Sequence, residues 1–392
     1  METLHSSCLS SHCPLPHLPI FRPNLISSFT RDGNNTVNKK WKTKEHTEMD
    51  KKSVVEEACK ISEPLSHRAI DEITESYPDD STLPKRILMN PTDFQSEFIH
   101  KHTEFITAEG GCRIRTCHNL NLRNDKGDSV VYVFIHGLGG TLTQFEPLLK
   151  LLSLLNKGFF SMDLPGFGSS DEVESYGMLE IVAVVQKTFA KLTPSRNLVL
   201  IGHSMGCYLA IHFCSAFQEQ YSFQELVLLA PPSLDLPQVE RTSTRVLMSL
   251  LFRWPWMFDI YRTQFDQSRG LRSSGIVQFF YNRNKQNKYR LLYQFYHNVQ
   301  IRSKSLAGYI LGWKPISEDQ LTTVASATSK VLLFAGDQDG ITPASCARLM
   351  YDTMVNVGSC ACDMVILQDC SHNMCLDAPS RIVASFFDHA VV

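Results

Sequence analysis

A single serine, Ser204, lies between two glycines in the sequence IGHSMGCYLA, residues 201 to 210. Glycine weakens the interior of a strand or helix, so Gly202 and Gly206 are costly unless the backbone must turn sharply. The preceding run NLVL is typical of a buried strand, and the residues that follow the serine are typical of a helix. G-x-S-x-G at such a junction predicts a nucleophile elbow, a strained turn that holds the serine hydroxyl away from the fold. We therefore predict that Ser204 is a nucleophile.

A serine hydroxyl is a weak nucleophile, so Ser204 needs a histidine base that is itself oriented by an acid. The chain order expected for this elbow is serine, then acid, then histidine. His372 follows the last apolar run in DCSHN, and GDQDGITP offers Asp337 and Asp339. We predict Asp339 as the acid, because a turn shortly before Pro343 would direct its carboxylate inward. Asp337 is the alternative acid, and its other role is to accept hydrogen bonds from turn amides.

An oxyanion that forms during attack by serine needs preorganised N–H donors. We predict the backbone N–H of Met205 as one donor and that of Leu138, in FIHGLGG, as the other. Glycine-rich loops also bind phosphates, but this one lacks the Gly-Lys-Ser/Thr of a nucleotide-binding loop. His203 is expected to point away from the serine hydroxyl, in a structural or pocket-lining role. Asp369 is expected to shape the turn before the histidine.

The composition limits the partners and cofactors that the sequence leads us to expect. The 392 residues are 43% hydrophobic with a net charge of −2, so no general attraction to nucleic acid is expected. The twelve cysteines are scattered and no secretory signal is recognisable, which favours free thiols. Neither Cys360/Cys362 nor Cys370/Cys375 has a second cluster with zinc spacing, so we predict no metal and no cofactor. No apolar run approaches the roughly 18 residues of a membrane span, so any membrane contact should be peripheral.

Six short apolar runs are the predicted strands that position these residues. They are SVVYVFIHG, KGFFSMDLPG, NLVLIGHS, ELVLLAPP, KVLLFAGD and MVILQDCSH. Helical patterns such as FEPLLKLLSLL separate several of them. Continuous apolar strands spaced by helices predict an α/β fold, with a mostly parallel sheet and helices on both faces. Active sites of such sheets lie at the carboxyl ends of the strands, where each motif above is found.

The chain divides into five predicted sections. They are a disordered extension (1–50, with organelle targeting as the alternative), an N-terminal helical segment (51–112), the first part of the core (113–232), a helical lid before the penultimate strand (233–328) and the second part of the core (329–392).

The predicted lid is rich in aromatic and basic residues. Its aromatics are Phe252, Trp254, Trp256, Phe258, Tyr261, Phe279, Phe280, Tyr281, Tyr293, Phe295, Tyr296 and Trp313. Its basic residues include Arg241, Arg245, Arg253, Arg262, Arg269, Arg272, Arg283, Lys285, Lys288, Arg290, Arg302 and Lys304. This composition suits an apolar substrate presented at an anionic interface. The alternatives are that the aromatics form the core of the lid and that the basic residues form a solvated face.

With HGLGG, DLPGFGSSD, GHSMG, GDQDGITP and DCSHN in this order, the chain resembles the α/β-hydrolase superfamily from about residue 129 to its end. Less generic sequences, RIRTCHNL, QFEPLL, PWMFDIYRTQFDQSRGLRSSGI, GYILGW and CSHNMCLD, are similar to the yeast lipid-droplet serine hydrolases, roughly over residues 85 to 390. This resemblance implies hydrolysis of fatty-acyl esters, triacylglycerol with phospholipid as a further candidate, by a peripheral enzyme at the lipid-droplet surface or in the cytoplasm. It also implies triad roles for Ser204, Asp339 and His372.

A second function remains open, because His372 and Asp377 form the H-x-x-x-x-D pattern seen in lipid acyltransferases. A transferase would pass the acyl group from serine to a lipid hydroxyl. Here the histidine already has a predicted role as the base, and Asp377 begins the helical sequence DAPSRIVASFF, where we expect it to cap a helix. A non-catalytic scaffold at the droplet is disfavoured by the presence of all three triad residue types. Hydrolysis is therefore the predicted reaction.

Overall fold

The computed structural model describes residues 50–120, 127, 129–234, 236–358 and 360–390. The predicted N-terminal extension, residues 1–50, lies outside the described residues except for Asp50. Eight strands form one sheet in the order β1-β2-β4-β3-β5-β6-β7-β8. They are β1 (Thr103–Thr107), β2 (Arg113–His118), β3 (Val130–Ile135), β4 (Gly158–Met162), β5 (Asn197–His203), β6 (Ser222–Leu229), β7 (Thr328–Gly336) and β8 (Ala361–Leu367). Strand β2 is antiparallel to both of its neighbours, and all other pairs are parallel.

The central strands are mostly apolar along their length because both faces of the sheet are covered. In β3, Val131, Val133 and Ile135 join the hydrophobic cluster on one face, whereas Tyr132 and Phe134 join the cluster on the other. Strands β5 and β7 alternate in the same way. Side chains of successive strand residues point to opposite faces, so two covered faces need an unbroken apolar run.

The helices provide these two layers and one long insertion. They are α1 (Lys51–Cys59), α2 (Ile70–Ser76), α3 (Leu83–Met89), α4 (Glu97–Lys101), α5 (Glu146–Leu154), α6 (Met178–Ala190), α7 (Met205–Phe217), α8 (Pro237–Glu240), α9 (Thr242–Arg253), α10 (Pro255–Tyr261), α11 (Ser274–Val277), α12 (Lys288–Val299), α13 (Ser303–Leu311), α14 (Glu318–Ala327), α15 (Ala344–Val357), α16 (Met374–Asp377) and α17 (Pro379–His389). Helices α6, α7, α14 and α15 contribute to the cluster on one face of the sheet, and α1, α5 and α17 to that on the other. Helices α8 to α14 lie between β6 and β7, with a π-helical turn at Arg262–Asp266. We call residues 237–317 of this region the insertion.

A third hydrophobic cluster joins the N-terminal segment to the insertion. Tyr77 and Phe94 pack there with Phe280 and Tyr289. The hydroxyl of Tyr289 also donates a hydrogen bond to the backbone oxygen of Asp93, at 2.9 Å. Part of the aromatic content of the insertion therefore forms a buried core that holds α12 against the N-terminal helices. No helix of the described residues is long and apolar enough to cross a membrane.

Candidate active site

The backbone at Ser204 has the strained conformation of an elbow. Its φ of 55° and ψ of −122° place a non-glycine residue in a region that L-residues rarely adopt, directly before the first residue of α7. Both flanking glycines are required by close backbone contacts. A Cβ on Gly202 would lie 2.4 Å from the backbone oxygen of Gly206, and one on Gly206 would lie 2.1 Å from that of Ile135. The G-x-S-x-G sequence is thus explained by the space available where β5 meets α7.

His372 and Asp339 form a buried pair. Nδ1 of His372 lies 2.8 Å from Oδ2 of Asp339. The other carboxylate oxygen accepts the backbone N–H groups of Ile341 and Thr342, and the Thr342 hydroxyl donates to Oδ2. Burial raises the pKa of Asp339, but the hydrogen bond and charge of His372 and the bonds from Thr342 outweigh it and hold the pKa below its usual value. The carboxylate therefore stays ionised at neutral pH, with its orientation fixed by the turn after β7.

The alternative acid, Asp337, faces a different part of the turn. Its carboxylate accepts the backbone N–H of Cys370, at 3.1 Å, and the side-chain amide of Gln338. Asp369 adopts a φ of 46°, the left-handed conformation of a tight turn, and its carboxylate accepts a hydrogen bond from Arg381. Asp337 and Asp369 thus hold the turns around the histidine, and Asp339 contacts the ring.

The loop after β3 lies directly against the elbow. A Cβ on Gly137 would lie 2.9 Å from Cβ of Ser204, so only glycine allows this approach. Leu138 and Met205, the predicted oxyanion donors, line the same cavity as the serine. The N–H of Met205 belongs to the first turn of α7, where backbone N–H groups lack intrahelical partners and favour negative charge.

A buried histidine that the sequence reasoning missed supports this loop. Nδ1 of His136 donates to the backbone oxygen of Gly137, at 2.8 Å, and its Nε2 accepts the backbone N–H of Leu164, at 2.9 Å. Burial lowers the pKa of His136, which favours the neutral form that this pairing requires. The histidine thereby fixes the Gly137 carbonyl, and with it the direction of the Leu138 N–H, which belongs to the same peptide group. The only signal for it in the sequence is its place directly before the glycines of HGLGG.

His203 lines the cavity and holds the loop of the predicted base. Its Nε2 donates to the backbone oxygen of His372, at 2.9 Å, and the two rings lie 4.9 Å apart. Burial, together with the neighbouring His372, lowers the pKa of His203 to about 3, so the ring is neutral. Its role is to position the segment that carries the other histidine.

A cavity of about 390 Å³ brings the predicted site residues together. Ser204 and His372 both line it, with Leu138 and Met205 beside them. The apolar side chains that close it from other parts of the chain include Leu236, Phe279, Phe295, Ile301, Leu306 and Trp313. Apolar walls around a few polar groups are typical of a site that binds an apolar small molecule.

The prediction that Asp377 caps α17 is wrong. The N-cap of that helix is Ala378, which makes no side-chain hydrogen bond. Asp377 is instead buried, and its carboxylate accepts the backbone N–H groups of Ser371, Asn282 and Tyr281, at 2.7, 2.9 and 3.1 Å. Two of these donors belong to the insertion, so the bonds cross a sequence separation that no local pattern reveals.

Of the cysteine pairs noted in the sequence, Cys370 and Cys375 are buried, and Cys360 and Cys362 are half-buried. Burial raises the pKa of Cys362 and of Cys375 to about 12, which keeps both protonated at neutral pH. All cysteines between residues 50 and 390 that the structure describes are free. Over the same residues, no three His, Cys, Asp or Glu side chains are grouped as they would be around a metal ion.

Comparison with known proteins places this geometry in a family. The sequence model of the α/β hydrolase fold matches residues 131–379. Lipid droplet hydrolase 1 of Saccharomyces cerevisiae is 36% identical over 353 residues, which cover 83% of this chain and 93% of the yeast protein.

Solved structures share the fold at lower identity. A thermophilic esterase from Thermogutta terrifontis has a TM-score of 0.54 at 19% identity, covering 73% of this chain and 97% of the esterase. A bacterial membrane phospholipase A has a TM-score of 0.52 at 18% identity, covering 78% of this chain and 91% of the phospholipase. The chain therefore belongs to the α/β-hydrolase family, and it is an ester hydrolase.

Proposed function

We propose that this chain hydrolyses fatty-acyl esters at a lipid surface, through a covalent acyl intermediate on Ser204. The observation that carries the proposal is the arrangement of three residues. Ser204, strained at the elbow, shares an apolar cavity with His372, and the histidine is hydrogen-bonded to the ionised Asp339. A nucleophile, a base and an orienting acid, here on the loops that follow β5, β8 and β7, are what acyl transfer from an ester requires.

In the proposed reaction, Nε2 of His372 takes the proton from the Ser204 hydroxyl as its oxygen attacks the acyl carbon. The carbonyl oxygen becomes an oxyanion that the backbone N–H groups of Met205 and Leu138 stabilise. The histidine then gives its proton to the leaving alcohol. Water enters, loses a proton to the same nitrogen and attacks the acyl carbon. The histidine then returns that proton to the Ser204 oxygen as the bond between this oxygen and the acyl carbon breaks, which releases a fatty acid and restores the serine.

The proposed substrate class follows from the cavity and the yeast relative. The insertion contributes Phe279, Phe295 and Leu306 to the cavity, so an acyl chain there would be surrounded by apolar side chains. Lipid droplet hydrolase 1 is similar along most of the chain, and its name points to the lipid droplet. We therefore propose acylglycerols as the main substrates, with phospholipids as a second candidate, and the droplet surface as the place of action.

The insertion carries a surface suited to contact with lipid. Helices α9 and α10 and the π-helical turn expose a set of large apolar side chains. These are Val246, Leu247, Leu250, Trp254, Trp256, Met257, Ile260, Tyr261 and Phe265, each between 43% and 66% exposed. We call this set the apolar surface. Exposed apolar residues grouped on adjacent helices mark an interaction site, and amphipathic helices with aromatics on the apolar side insert at the lipid interface.

The aromatics of the insertion thus divide into two groups. Trp254, Trp256 and Phe265 are exposed on the apolar surface, whereas Tyr293 and Phe295 are buried. Only the first group can touch a lipid interface in this conformation. Both groups lie in stretches of similar composition, and their packing separates them.

The arginines of the insertion also include both exposed and enclosed side chains. Arg245 and Arg253 are exposed and border the apolar surface in α9, where they would face anionic lipid headgroups. Arg262 is largely enclosed, and its guanidinium donates to the backbone oxygens of Asn298 and Ile301. Arg262 therefore holds α10 against α12 and has no place in the proposed lipid contact.

The acyltransferase alternative loses its main support. Both carboxylate oxygens of Asp377 accept backbone N–H groups, and Asp377 is not among the residues that line the cavity. A catalytic role in transfer would require contact with the acceptor alcohol or with the reacting atoms. We therefore favour water as the acceptor.

The test is product analysis on a triacylglycerol emulsion with a labelled acyl chain, with and without added diacylglycerol or lysophospholipid. Free fatty acid should be the main product in every case, and Ser204→Ala should abolish its release. A fluorophosphonate probe should label the parent protein and not the variant. Esterified product as the main outcome would support transfer, and activity that survives Ser204→Ala would reject the proposed mechanism.

A further inference from the structure

Several contacts join the loop of His372 to the insertion. We call residues 369–373 the histidine loop and residues 278–282 the anchor segment. The backbone N–H of Asn373 donates to the oxygen of Phe279, at 3.2 Å. The hydroxyl of Ser371 donates to the oxygen of Gln278, at 3.1 Å. The two segments are about ninety residues apart in the chain, yet hydrogen bonds join them at the residue before His372 and at the residue after it.

The anchor segment also touches the histidine ring. Phe279 packs edge-on against the imidazole of His372, with ring centroids 5.3 Å apart. Phe279 lines the substrate cavity as well. A shift of the anchor segment would therefore change both the cavity wall and the space that the ring occupies.

Asp377 is the residue that bonds to both stretches at once. Its Oδ2 accepts the N–H of Ser371, directly before the histidine, and that of Tyr281, while Oδ1 accepts the N–H of Asn282. The side chain is buried, with 3% of its surface exposed. A buried carboxylate is costly unless it is hydrogen-bonded, and each buried N–H that loses its acceptor adds a further cost. The three bonds are therefore interdependent, and they fix the distance between the histidine loop and the anchor segment.

The bond to Asp339 alone does not determine where the imidazole lies. It directs Nδ1 toward the acid, but the position of Nε2 relative to the serine also depends on the backbone of the histidine loop. That backbone is bonded by His203 at the oxygen of His372 and by Asp377 at the N–H of Ser371. A small displacement of a catalytic group can cost about a hundredfold in rate.

We propose that Asp377 is a positioning residue for the base, which places His372 by bonding the N–H of Ser371 and by fastening the anchor segment whose Phe279 packs against the ring. The proposal rests on the proposed function, because it assigns His372 the role of base. It also explains the H-x-x-x-x-D spacing, since one turn of α16 brings the carboxylate back to the residue before the histidine.

The first test compares Asp377→Asn with Asp93→Asn in the full chain, on a soluble short-chain ester. Asp93 is a matched control, since its carboxylate is also buried and accepts bonds, from Arg68 and the hydroxyl of Tyr77, on the N-terminal segment. An amide cannot accept all three N–H groups of the Asp377 site without presenting its own N–H₂ to one of them. We expect Asp377→Asn to lower kcat by about 10- to 100-fold with KM changed less than about twofold. Asp93→Asn should lower the melting temperature and leave kcat within about twofold.

A second measurement separates positioning from general loss of stability. The rate at which a fluorophosphonate inactivates the enzyme depends on activation of Ser204, and it should fall by the same factor as kcat. Both rates are measured well below the melting temperature of each variant. An unchanged kcat in folded Asp377→Asn, or a rise in KM alone, would overturn the proposal.

Two milder variants decide the matter if Asp377→Asn does not fold. Ser371→Ala removes the bond to the oxygen of Gln278, and Asn282→Ala removes the bond from its side-chain amide to the oxygen of Asp369, at 3.2 Å. Each should lower kcat by about 3- to 10-fold with little change in KM, since each loosens one contact between the histidine loop and the anchor segment. Unchanged kcat in both would reject the proposal. Activity that survives Ser204→Ala would instead reject the proposed function.

Discussion

Oδ2 of Asp339 lies 2.8 Å from Nδ1 of His372, and the N–H of Thr342 holds the other carboxylate oxygen at 2.9 Å. The turn that carries Asp339 therefore orients its carboxylate independently of the histidine. A ring that donates from Nδ1 to Asp339 leaves Nε2 unprotonated on the side of the cavity that Ser204 lines. This is the tautomer that a base for serine needs. The hydrogen-bond network thus supports the chemistry that we propose for the cavity.

Asp339→Asn should lower kcat on a short-chain ester by roughly 10³- to 10⁴-fold, because an amide can stabilise the wrong tautomer of His372. The matched control is Asp337→Asn, which alters a carboxylate on the same turn that bonds to Cys370 and not to the histidine. It should cost less than about tenfold. Initial rates of both purified variants are the measurement. A larger loss in Asp337→Asn would mean that Asp337 is the acid.

Two buried histidines near the cavity should make the protein less stable in mild acid. Burial is the main cause that lowers the pKa of His203 to about 3 and that of His297 to about 4. An unfolded histidine takes up a proton as pH falls through about 6.5, while these two remain neutral until their lower values. The unfolded state then binds more protons than the folded state. The free energy of unfolding therefore decreases as the pH is lowered, by up to about 1.4 kcal/mol per pH unit for each histidine.

The measurement is urea unfolding between about pH 7 and pH 4.5 for the parent chain and for His203→Gln. The slope of the free energy of unfolding against pH should be smaller in the variant by the contribution of about one proton, because glutamine has no titrating group. Glutamine can still donate to the backbone oxygen of His372. His389→Gln, on an exposed position at the end of α17, is the control and should keep the parent slope. An unchanged slope in His203→Gln would show that this residue is already protonated, or unburied, in the folded protein.

Sequence reasoning was most informative where one short motif carries its own geometry. The glycines around Ser204 and the strand-end positions of Asp339 and His372 predicted residues that the fold brings to one edge of the sheet. The parallel sheet was predictable too, because strands covered on both faces form nearly continuous apolar runs.

The rest could not be predicted because it depends on contacts between distant parts of the chain. Asp377 bonds to Tyr281 and Asn282, about 95 residues earlier, and a helix cap was the nearest local explanation. Trp256 and Tyr293 lie in stretches of similar composition, but one is exposed and the other is packed against the N-terminal segment. Only the fold of the insertion distinguishes them.

The apolar surface should control activity on insoluble substrate. Trp256 and Phe265 are 58% and 66% exposed, and burying each in lipid would contribute on the order of 1 kcal/mol. The double variant Trp256→Ser/Phe265→Ser should therefore weaken binding to a triacylglycerol emulsion by about tenfold or more. Its activity on a soluble ester should fall far less than its activity on the emulsion.

The control for that variant is Leu349→Ser/Val355→Ser on α15, where two apolar side chains are exposed to a similar extent, 49% and 47%. Emulsion binding is measured by flotation, with circular dichroism to check folding. The control should bind as the parent does. Equal loss in both double variants would mean that exposed apolar area in general, and not this surface, drives adsorption.

Arg253 and Arg262, both in the insertion, should lose different properties when their charge is reversed. Arg253 is exposed at the end of α9, so Arg253→Glu should weaken binding to emulsions that contain anionic lipid by about tenfold, since each charge contributes about 1 kcal/mol near such a surface. The loss should shrink as salt is raised, because exposed charges are screened. Arg262→Glu should instead lower the free energy of unfolding by about 2 kcal/mol or more, since it removes charged hydrogen bonds to the backbone oxygens of Asn298 and Ile301. Flotation at low and high salt and urea unfolding of both variants are the measurements. A salt-dependent binding loss in a stable Arg262→Glu would show that this arginine does face the lipid.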